Sequence, residues 1–233
     1  YLVFGGHDRN LYLMDEDINI IDEIPFDGWC RCSFTTDLDG DGCEEILVGA
    51  GDGSMLALRY DENKNDLVGL MHKKAKLKIN WRTAGDLSED GEIEVVFGGE
   101  DKTLRIYKNI LAEKPLYTLF YDSWITSCSI GLIKHPKFKK AFHGLLVGTK
   151  NGKLQLIKMK DQQLNIIWER DVSKTINDIE IGDITNDGKN EIIIAVDDSY
   201  IKIFSSNGDR IRYIKVYGGR PLALKIDDID GDN

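Results

Sequence analysis

The sequence has few of the residues that build disulfide frameworks, redox centres or membrane spans. Among 233 residues there are four cysteines and four histidines. Four cysteines in a chain of this length do not make a disulfide framework. No apolar run approaches the ~18 residues of a transmembrane helix, and no secretory signal peptide is present. These absences predict no membrane insertion and a cytoplasmic location, with an extracellular location as the alternative.

Positive charge and helical periodicity are also scarce. Lysine and arginine total 30 against 40 aspartate and glutamate residues, which gives a formal net charge of −10. An acidic chain is a poor binder of nucleic acid or of anionic membrane surfaces, so we expect no nucleic-acid partner. Apolar residues do not recur at the helical spacing over a useful length. The sequence therefore predicts an all-β fold.

Internal repetition is the dominant feature of the sequence. Five stretches align on a column of small residues, each preceded by an apolar run and followed by an alternating run such as Asn10–Met14 or Tyr200–Phe204. The column falls at Gly5, Gly49, Gly98, Gly148 and Ala195. Alternating runs separated by Gly, Asp and Asn residues are typical of strands joined by hairpins. Four short strands in a unit of under 50 residues predict the blade of a β-propeller.

The repeats predict a single β-propeller domain over residues 1–233 with five four-stranded antiparallel blades. The predicted blades are residues 1–27 plus 220–233, 28–73, 78–122, 124–171 and 175–217. In this arrangement Leu222–Ile226 is a strand that completes the first blade and removes a free sheet edge. The alternative is that the chain is an excerpt of a larger propeller of six to eight blades.

A second pattern of acidic residues lies twelve residues before the small column. It reads Asp37-Leu-Asp39-Gly-Asp41-Gly-Cys43-Glu-Glu45 in the second repeat, and related sequences follow in the third and fifth repeats and at the carboxyl end. We call the first three loop 2 (residues 37–45), loop 3 (86–94) and loop 5 (183–191). Oxygen ligands at positions 1, 3, 5 and 9, a backbone carbonyl at 7 and Gly at 6 suit Ca²⁺. A strand follows where an EF-hand has a helix, so the loops are not EF-hands.

The predicted metal residues occupy the same positions of each loop. They are Asp37, Asp39, Asp41, Cys43 and Glu45; Asp86, Ser88, Asp90, Glu92 and Glu94; Asp183, Thr185, Asp187, Lys189 and Glu191; and Asp228, Asp230 and Asp232. Several carboxylates within one turn repel one another unless a cation neutralises them. The alternative is an Asp/Gly-rich hairpin turn that holds no ion.

The fourth repeat lacks this acidic pattern. Its longer segment, residues 134–143, is basic where the equivalent loops are acidic. We expect either a solvated loop that has lost its ion or a contact loop for an acidic partner. Metal binding by His135 and His143 is a third, remote alternative, because no third ligand is near them in the sequence.

At these residues the chain resembles the FG-GAP/VCBS repeat family, which includes the propellers of integrin α-subunits. The segment DLDGDGCEEILVGAGDGSMLAL is similar to that family's pattern, and LVFGGHDRNLYLMD is similar, more weakly, to the amino-terminal propellers of Bardet–Biedl (BBSome-type) subunits. The resemblance implies a propeller fold, structural calcium and partner binding. It also implies that the acidic-loop residues are the ligands, with Cys43 binding through its backbone, while Ser88 and Thr185 depart from the pattern.

No catalytic motif stands out in the sequence. Gly49–Gly53 is similar to a dinucleotide-binding loop, but a strand follows it instead of a helix. We therefore expect a non-enzymatic, calcium-binding scaffold for protein–protein interaction. The alternative is a carbohydrate-binding or polysaccharide-degrading propeller module, for which the four tryptophans, Trp29, Trp81, Trp124 and Trp168, are the candidate platforms.

One position of the repeat is a candidate binding face. Trp29, Lys78, Trp124, Thr175 and Arg220 stand eight residues before each acidic-loop column, at the entry to the innermost strand. Strand entries of a propeller lie at one end, so these residues are expected opposite the acidic loops. Trp and Arg are enriched at binding hot spots, and we predict partner contacts for Trp29, Lys78, Trp124 and Arg220. The alternative is that the tryptophans pack between blades.

Overall fold

A computed structural model describes residues 1–227, apart from the side chains of Arg31 and Cys32. Nineteen strands and no helices occur in these residues. The strands are β1 (Leu2–Gly5), β2 (Asn10–Met14), β3 (Ile20–Pro25), β4 (Cys30–Thr36), β5 (Glu45–Ala50), β6 (Ser54–Asp61), β7 (Asp66–Lys74), β8 (Ile79–Gly85), β9 (Glu94–Gly99), β10 (Thr103–Tyr107), β11 (Tyr117–Phe120), β12 (Ile125–Ile133), β13 (Phe142–Thr149), β14 (Lys153–Lys160), β15 (Gln163–Asp171), β16 (Ile176–Gly182), β17 (Glu191–Val196), β18 (Tyr200–Phe204) and β19 (Arg210–Lys215). None of the described segments is a helix long and apolar enough to cross a membrane.

Each repeat folds as one antiparallel sheet whose strands follow chain order. In residues 1–227 there is a three-stranded sheet, β1-β2-β3, and there are four-stranded sheets β4-β5-β6-β7, β8-β9-β10-β11, β12-β13-β14-β15 and β16-β17-β18-β19. Neighbouring strands are joined by short connections, which is the arrangement of propeller blades. The prediction of an all-β propeller fold is confirmed.

The second strand of each four-stranded sheet lies at the centre of the core. Every residue of β5, β9 and β17 is buried, and Leu47, Phe97 and Ile194 are fully inaccessible to solvent. These strands are near-continuous apolar runs because both faces of the sheet are covered. The polar exception is the first residue of each of these strands, a glutamate that belongs to an acidic loop.

The small-residue column is explained by close packing between consecutive repeats. A Cβ atom on Gly148 would lie 2.8 Å from Cγ2 of Ile176, in the innermost strand of the next repeat. A Cβ atom on Gly5 would overlap the Sγ atom of Cys30 in the same way. Glycine at this column therefore lets one sheet approach the next, which is a structural role independent of the turn that follows.

The prediction of a strand at Leu222–Ile226 is wrong. These residues form no strand, and the sheet that contains β1 has three strands instead of four. The segment lies against β16, where the Leu224 N–H donates to Asp178 Oδ2 at 2.6 Å and the Asn177 side chain donates to the Pro221 carbonyl at 2.8 Å. Alternating apolar residues favour a strand only where a backbone partner is present, and the segment has no ladder partner in the described residues.

The chain divides into two compact units. Unit 1 comprises Tyr1–Ala84 and Glu92–Trp124, and unit 2 comprises Gly85–Gly91 and Ile125–Asn233, of which residues 228–233 are outside the described part. Unit 1 contains two apolar clusters, one around Leu47 and Phe97 and one around Leu11 and Val48. Unit 2 contains a cluster around Phe142 and Ile194. The boundaries of a single propeller domain stay a prediction.

Candidate metal loops and binding face

Loop 2 is folded around its first aspartate. Asp37 accepts the backbone N–H groups of Gly40 at 2.7 Å and Gly42 at 3.0 Å. These hydrogen bonds, with that of Gly42 first, lower the pKa of Asp37. Gly42 has a φ of +90°, a left-handed conformation that favours glycine. The spacing Asp-x-x-x-x-Gly thus closes the turn through side chain-to-backbone bonds.

The last acid of loop 2 is buried. Glu45 is 0% exposed, and its Oε2 atom accepts the N–H of Leu38 at 2.8 Å. Oxygen atoms of Asp37, Asp39 and Glu45 lie within 4.8 Å of one another, the only such group of three potential ligands found in the described residues. Cys43 is exposed and its N–H donates to Asp41 Oδ1 at 2.8 Å. Of the five ligands predicted for loop 2, the structure therefore brings together Asp37, Asp39 and Glu45.

A residue that the sequence analysis missed lies in the middle of these acids. The guanidinium of Arg59 donates from Nη2 to Glu45 Oε1 at 2.7 Å, lies 3.2 Å from Asp41 Oδ2 and also pairs with Asp39. These partners, Glu45 first, hold the pKa of Arg59 above its ordinary value. Three of the four acids that would bind Ca²⁺ are thus already paired with a cation, so loop 2 in this conformation does not fit a metal ion.

Loop 5 has the same turn without an arginine. Asp183 accepts the backbone N–H groups of Asp187 at 3.2 Å and Gly188 at 2.6 Å, and the buried Glu191 accepts that of Ile184 at 3.2 Å. The Lys189 ammonium lies 2.7 Å from Asp187 and is the cation of the loop. Burial, and then the negative charges of Asp187 and Asp183, raise the pKa of Glu191.

Loop 5 contains oxygen donors of the type that bind Ca²⁺, but in the described residues only loop 2 brings three potential ligand atoms within 4.8 Å of one another. Burial is the largest cause of the raised pKa of Glu191, and the negative charges of Asp187 and Asp183 add to it. Thr185 supplies a hydroxyl oxygen in place of a third early carboxylate, and the oxygen donor set suits Ca²⁺. Lys189 sits at the rim, where its side chain is about half exposed, and does not contact Glu191 through a described hydrogen bond.

Residues 86–91 of loop 3 belong to unit 2, and residues 92–94 belong to unit 1. In unit 2, Asp86 accepts the N–H groups of Asp90 and Gly91, both at 3.0 Å. In unit 1, Glu92 lies 3.3 Å from the Lys108 ammonium, and Glu94 is buried. Asp86 therefore organises its turn as Asp37 and Asp183 do. Ser88 lies between Asp86 and Asp90 in the sequence. The predicted ligands Asp228, Asp230 and Asp232 lie outside the described residues.

The basic segment of the fourth repeat is partly a core element. Phe142 is fully buried, Phe138 packs against it in an edge-to-face contact at 5.1 Å, and the Lys158 ammonium lies over both rings at 4.1 and 4.5 Å. His135 is buried, its Nδ1 atom accepts the Lys137 N–H at 3.1 Å, and burial lowers its pKa. The alternative of a metal site at His135 and His143 has no support, because neither histidine belongs to a group of three potential ligands in the described residues. The lysines at 134, 137, 139 and 140 remain exposed.

The strand entries have equivalent backbone positions in three repeats. The carbonyls of Trp29, Lys78 and Thr175 accept N–H groups two residues beyond the small column, from Gly51, Glu100 and Asp197, at 2.8 to 2.9 Å. Trp29 is 43% exposed and stacks on the exposed His7 ring at 4.2 Å. Trp124 is half-buried. In unit 1 Trp29 shares this backbone position with Lys78 and presents an aromatic face to solvent, and the binding role of the set stays a prediction.

The charged members of this set are paired with acids. Lys78 lies 3.8 Å from Glu100, and Arg220 donates to Asp197 at 2.9 Å. Both side chains are largely exposed, so such pairs contribute little to stability. Trp168, in contrast, is buried and donates its indole N–H to the Ser206 carbonyl at 3.0 Å, which makes it a core residue.

Comparisons with known proteins give a fold but no family. No protein-family model matches the chain, and no curated protein matches it. The resemblance to FG-GAP/VCBS repeats thus has no support from a family match.

Solved structures do match. One is a crystal structure of BBS1N in complex with ARL6DN, soaked with lead, with a TM-score of 0.60 and 15% sequence identity. The match covers 82% of this chain and 59% of that chain, so the chain spans less than two thirds of the BBS1N chain. BBS1N is an amino-terminal β-propeller domain, in agreement with the weaker resemblance to BBSome-type propellers. At this identity the similarity shows that the chain has a β-propeller fold.

Proposed function

We propose that this chain is a non-enzymatic β-propeller scaffold that binds a protein partner. The observation that carries the proposal is its structural similarity to a propeller, BBS1N, that is in complex with a protein, ARL6DN. Fold alone does not determine function, so the proposal also needs a surface. The Trp29–His7 stack supplies one, because an exposed aromatic pair is typical of binding hot spots.

The carbohydrate alternative is the weaker proposal. A glycan site needs several aromatic platforms that face solvent, whereas Trp168 belongs to the core of unit 2. Trp81 is half-buried with the Arg82 guanidinium 5.4 Å from its ring centre. These two rings are therefore committed to contacts within the protein.

Replacing Trp29 and Trp124 together by alanine is expected to abolish partner binding and to leave folding intact. The wild-type chain and the Trp29→Ala/Trp124→Ala variant are immobilised, and the proteins that each captures from extract are quantified by mass spectrometry. Hot-spot truncation costs about 2 kcal/mol or more, a loss of roughly thirtyfold in affinity.

Phe120→Ala is the matched control, because Phe120 is an 82% exposed aromatic residue of unit 1 on the outermost strand β11. A protein retained by the control and lost by the double variant is a partner bound at this face. Capture that is equal for all three chains contradicts the proposed face. A double variant whose melting temperature is many degrees below that of the wild type would show that the two tryptophans belong to the core.

We also propose that loop 5 binds a structural Ca²⁺. The support is the geometry of the turn, in which Asp183 accepts the N–H groups of Asp187 and Gly188 and the buried Glu191 accepts that of Ile184. These acids have no arginine partner in the described residues, and burial with the charges of Asp187 and Asp183 raises the pKa of Glu191. With a raised pKa, ionised Glu191 destabilises the metal-free fold at neutral pH, and this penalty disappears as the pH falls through that pKa. With a cation bound in loop 5, ionised Glu191 would instead stabilise the fold.

Glu191→Gln is therefore expected to be at least as stable as the wild type in chelator and to gain less stability from millimolar calcium. A ligand at a hundredfold excess over its Kd adds about 2.7 kcal/mol to the native state. Thermal melting with chelator and with calcium measures the difference. Asp161→Asn, at a surface turn of the same unit, is the control. Equal calcium responses of Glu191→Gln and the wild type would refute binding at loop 5.

A further inference from the structure

We propose that Arg59 is a built-in cation of loop 2, which neutralises the acids there and excludes the divalent ion they would otherwise bind. The sequence of loop 2 predicts calcium ligands, whereas in the structure an arginine side chain contacts three of them. Loop 5 has no such arginine contact in the described residues.

The guanidinium of Arg59 matches the charge and the geometry of the loop 2 acids. Loop 2 brings together Asp37, Asp39, Asp41 and Glu45, and Arg59 contacts the last three through two nitrogens of its guanidinium, with Nε also donating to Glu45 at 2.8 Å. A guanidinium is planar and offers five donors, so it can serve several carboxylates at once and stays charged at all physiological pH values. Glu45 is buried and therefore needs a close positive partner.

Arg59 and a divalent cation would compete for the same carboxylate oxygens of loop 2. Ca²⁺ requires six to eight oxygen ligands at 2.3 to 2.6 Å. Arg59 already occupies Oε1 of Glu45, and the Leu38 N–H occupies Oε2. A metal ion would have to displace the guanidinium, because two cations among the same carboxylates repel each other. Arg59 is also covalently attached, so its local concentration does not fall when free calcium is low.

The register of the β5–β6 hairpin places Arg59 beside the loop 2 acids. Ile46 pairs with Leu58, which places Arg59 opposite Glu45 one position further along the hairpin. The corresponding residues of the third, fourth and fifth repeats are Lys108, Lys158 and Ser205. Where the fourth repeat has lost its acids, Lys158 lies on aromatic rings instead. Where the fifth repeat has serine, the acids lack a cation from this strand, so this single position distinguishes a closed loop from an open one.

Calcium titration by calorimetry tests the proposal with four proteins: wild type, Asp41→Asn, Arg59→Met and Arg59→Met/Asp41→Asn. We expect wild type and Asp41→Asn to bind the same number of calcium ions. Arg59→Met should bind one more ion per chain, and the double variant should lose it. In chelator Arg59→Met should melt below the wild type, and millimolar calcium should raise its Tm by roughly 5 °C more than that of the wild type.

Arg105→Met is the matched control, because it removes a partly buried arginine paired with Asp101 elsewhere in unit 1 and should leave the calcium stoichiometry unchanged. Loss of one calcium ion in Asp41→Asn alone would overturn the proposal, since it would show that wild-type loop 2 binds metal. An Arg59→Met protein that binds no additional calcium would overturn it as well. The comparison of wild type with Asp41→Asn needs no arginine variant, so it holds even where Arg59→Met does not fold. Failure of calcium binding at loop 5 changes the wild-type stoichiometry but not these differences.

Discussion

Replacement of Glu45 by alanine is expected to lower the free energy of unfolding by about 3 kcal/mol. The side chain is fully buried, and alanine would leave the Leu38 N–H without its acceptor. It would also remove the innermost partner of Arg59, although the guanidinium is 31% exposed and keeps Asp39 and Asp41. Urea unfolding followed by tryptophan fluorescence measures the change, and Tm should fall by about 6 to 12 °C.

The neighbouring residue provides the control for this prediction. Glu44 is exposed, so Glu44→Ala should change stability by less than about 0.5 kcal/mol. The free energy of unfolding of Glu45→Gln should lie between those of Glu45→Ala and Glu44→Ala. An amide oxygen still accepts the Leu38 N–H, but the charge that pairs with Arg59 is lost. If the unfolding curves of Glu45→Ala and Glu44→Ala superimposed, the contacts of Glu45 with Leu38 and Arg59 would not contribute to stability.

The strands could be predicted because their signal is local. Asn10–Met14 and Tyr200–Phe204 have the bounds that alternation predicts. The fourth repeat's sequence predicts a strand at Ser127–Ile130, and the strand Ile125–Ile133 is longer because pairing with a neighbour extends order beyond the apolar residues. The segment Leu222–Ile226 has the same alternation but no backbone partner, and the presence of a partner is a non-local property that a sequence pattern does not contain.

In the candidate site, too, only the contacts between residues close in sequence could be predicted. The turns around Asp37, Asp86 and Asp183 follow from the spacing of Asp and Gly within six residues. The partner of loop 2, Arg59, is 14 residues from Glu45 and reaches it across a hairpin. The register of that hairpin was the available signal, because Arg59 follows the last residue of an alternating run that begins after the Gly49 column. Counting cross-strand positions would have placed a positive charge opposite the buried glutamate.

Replacing Gly148 by valine is expected to lower the free energy of unfolding by about 3 kcal/mol. A Cβ atom at this position would meet Ile176 at 2.8 Å and the side chain of Ser127, and both neighbours are fully buried. Neither can move into open space, so the added atoms must push two sheets of unit 2 apart. Gly148→Ala should cost less, because the fifth repeat carries alanine, Ala195, at the same column.

Gly69→Val is the control that separates packing from the intrinsic effect of removing a glycine. Gly69 is an exposed residue of β7, and a Cβ atom there would meet no atom within 4 Å. Valine favours strands and restricts the unfolded chain, so this variant should be as stable as the wild type or slightly more stable. In urea unfolding, Gly148→Val should therefore be the least stable of the three variants, Gly148→Ala should be intermediate, and Gly69→Val should be the most stable. If Gly148→Val and Gly69→Val had the same free energy of unfolding, the turn that follows the small column would have to explain its glycines. The close approach of consecutive repeats would then not be the reason.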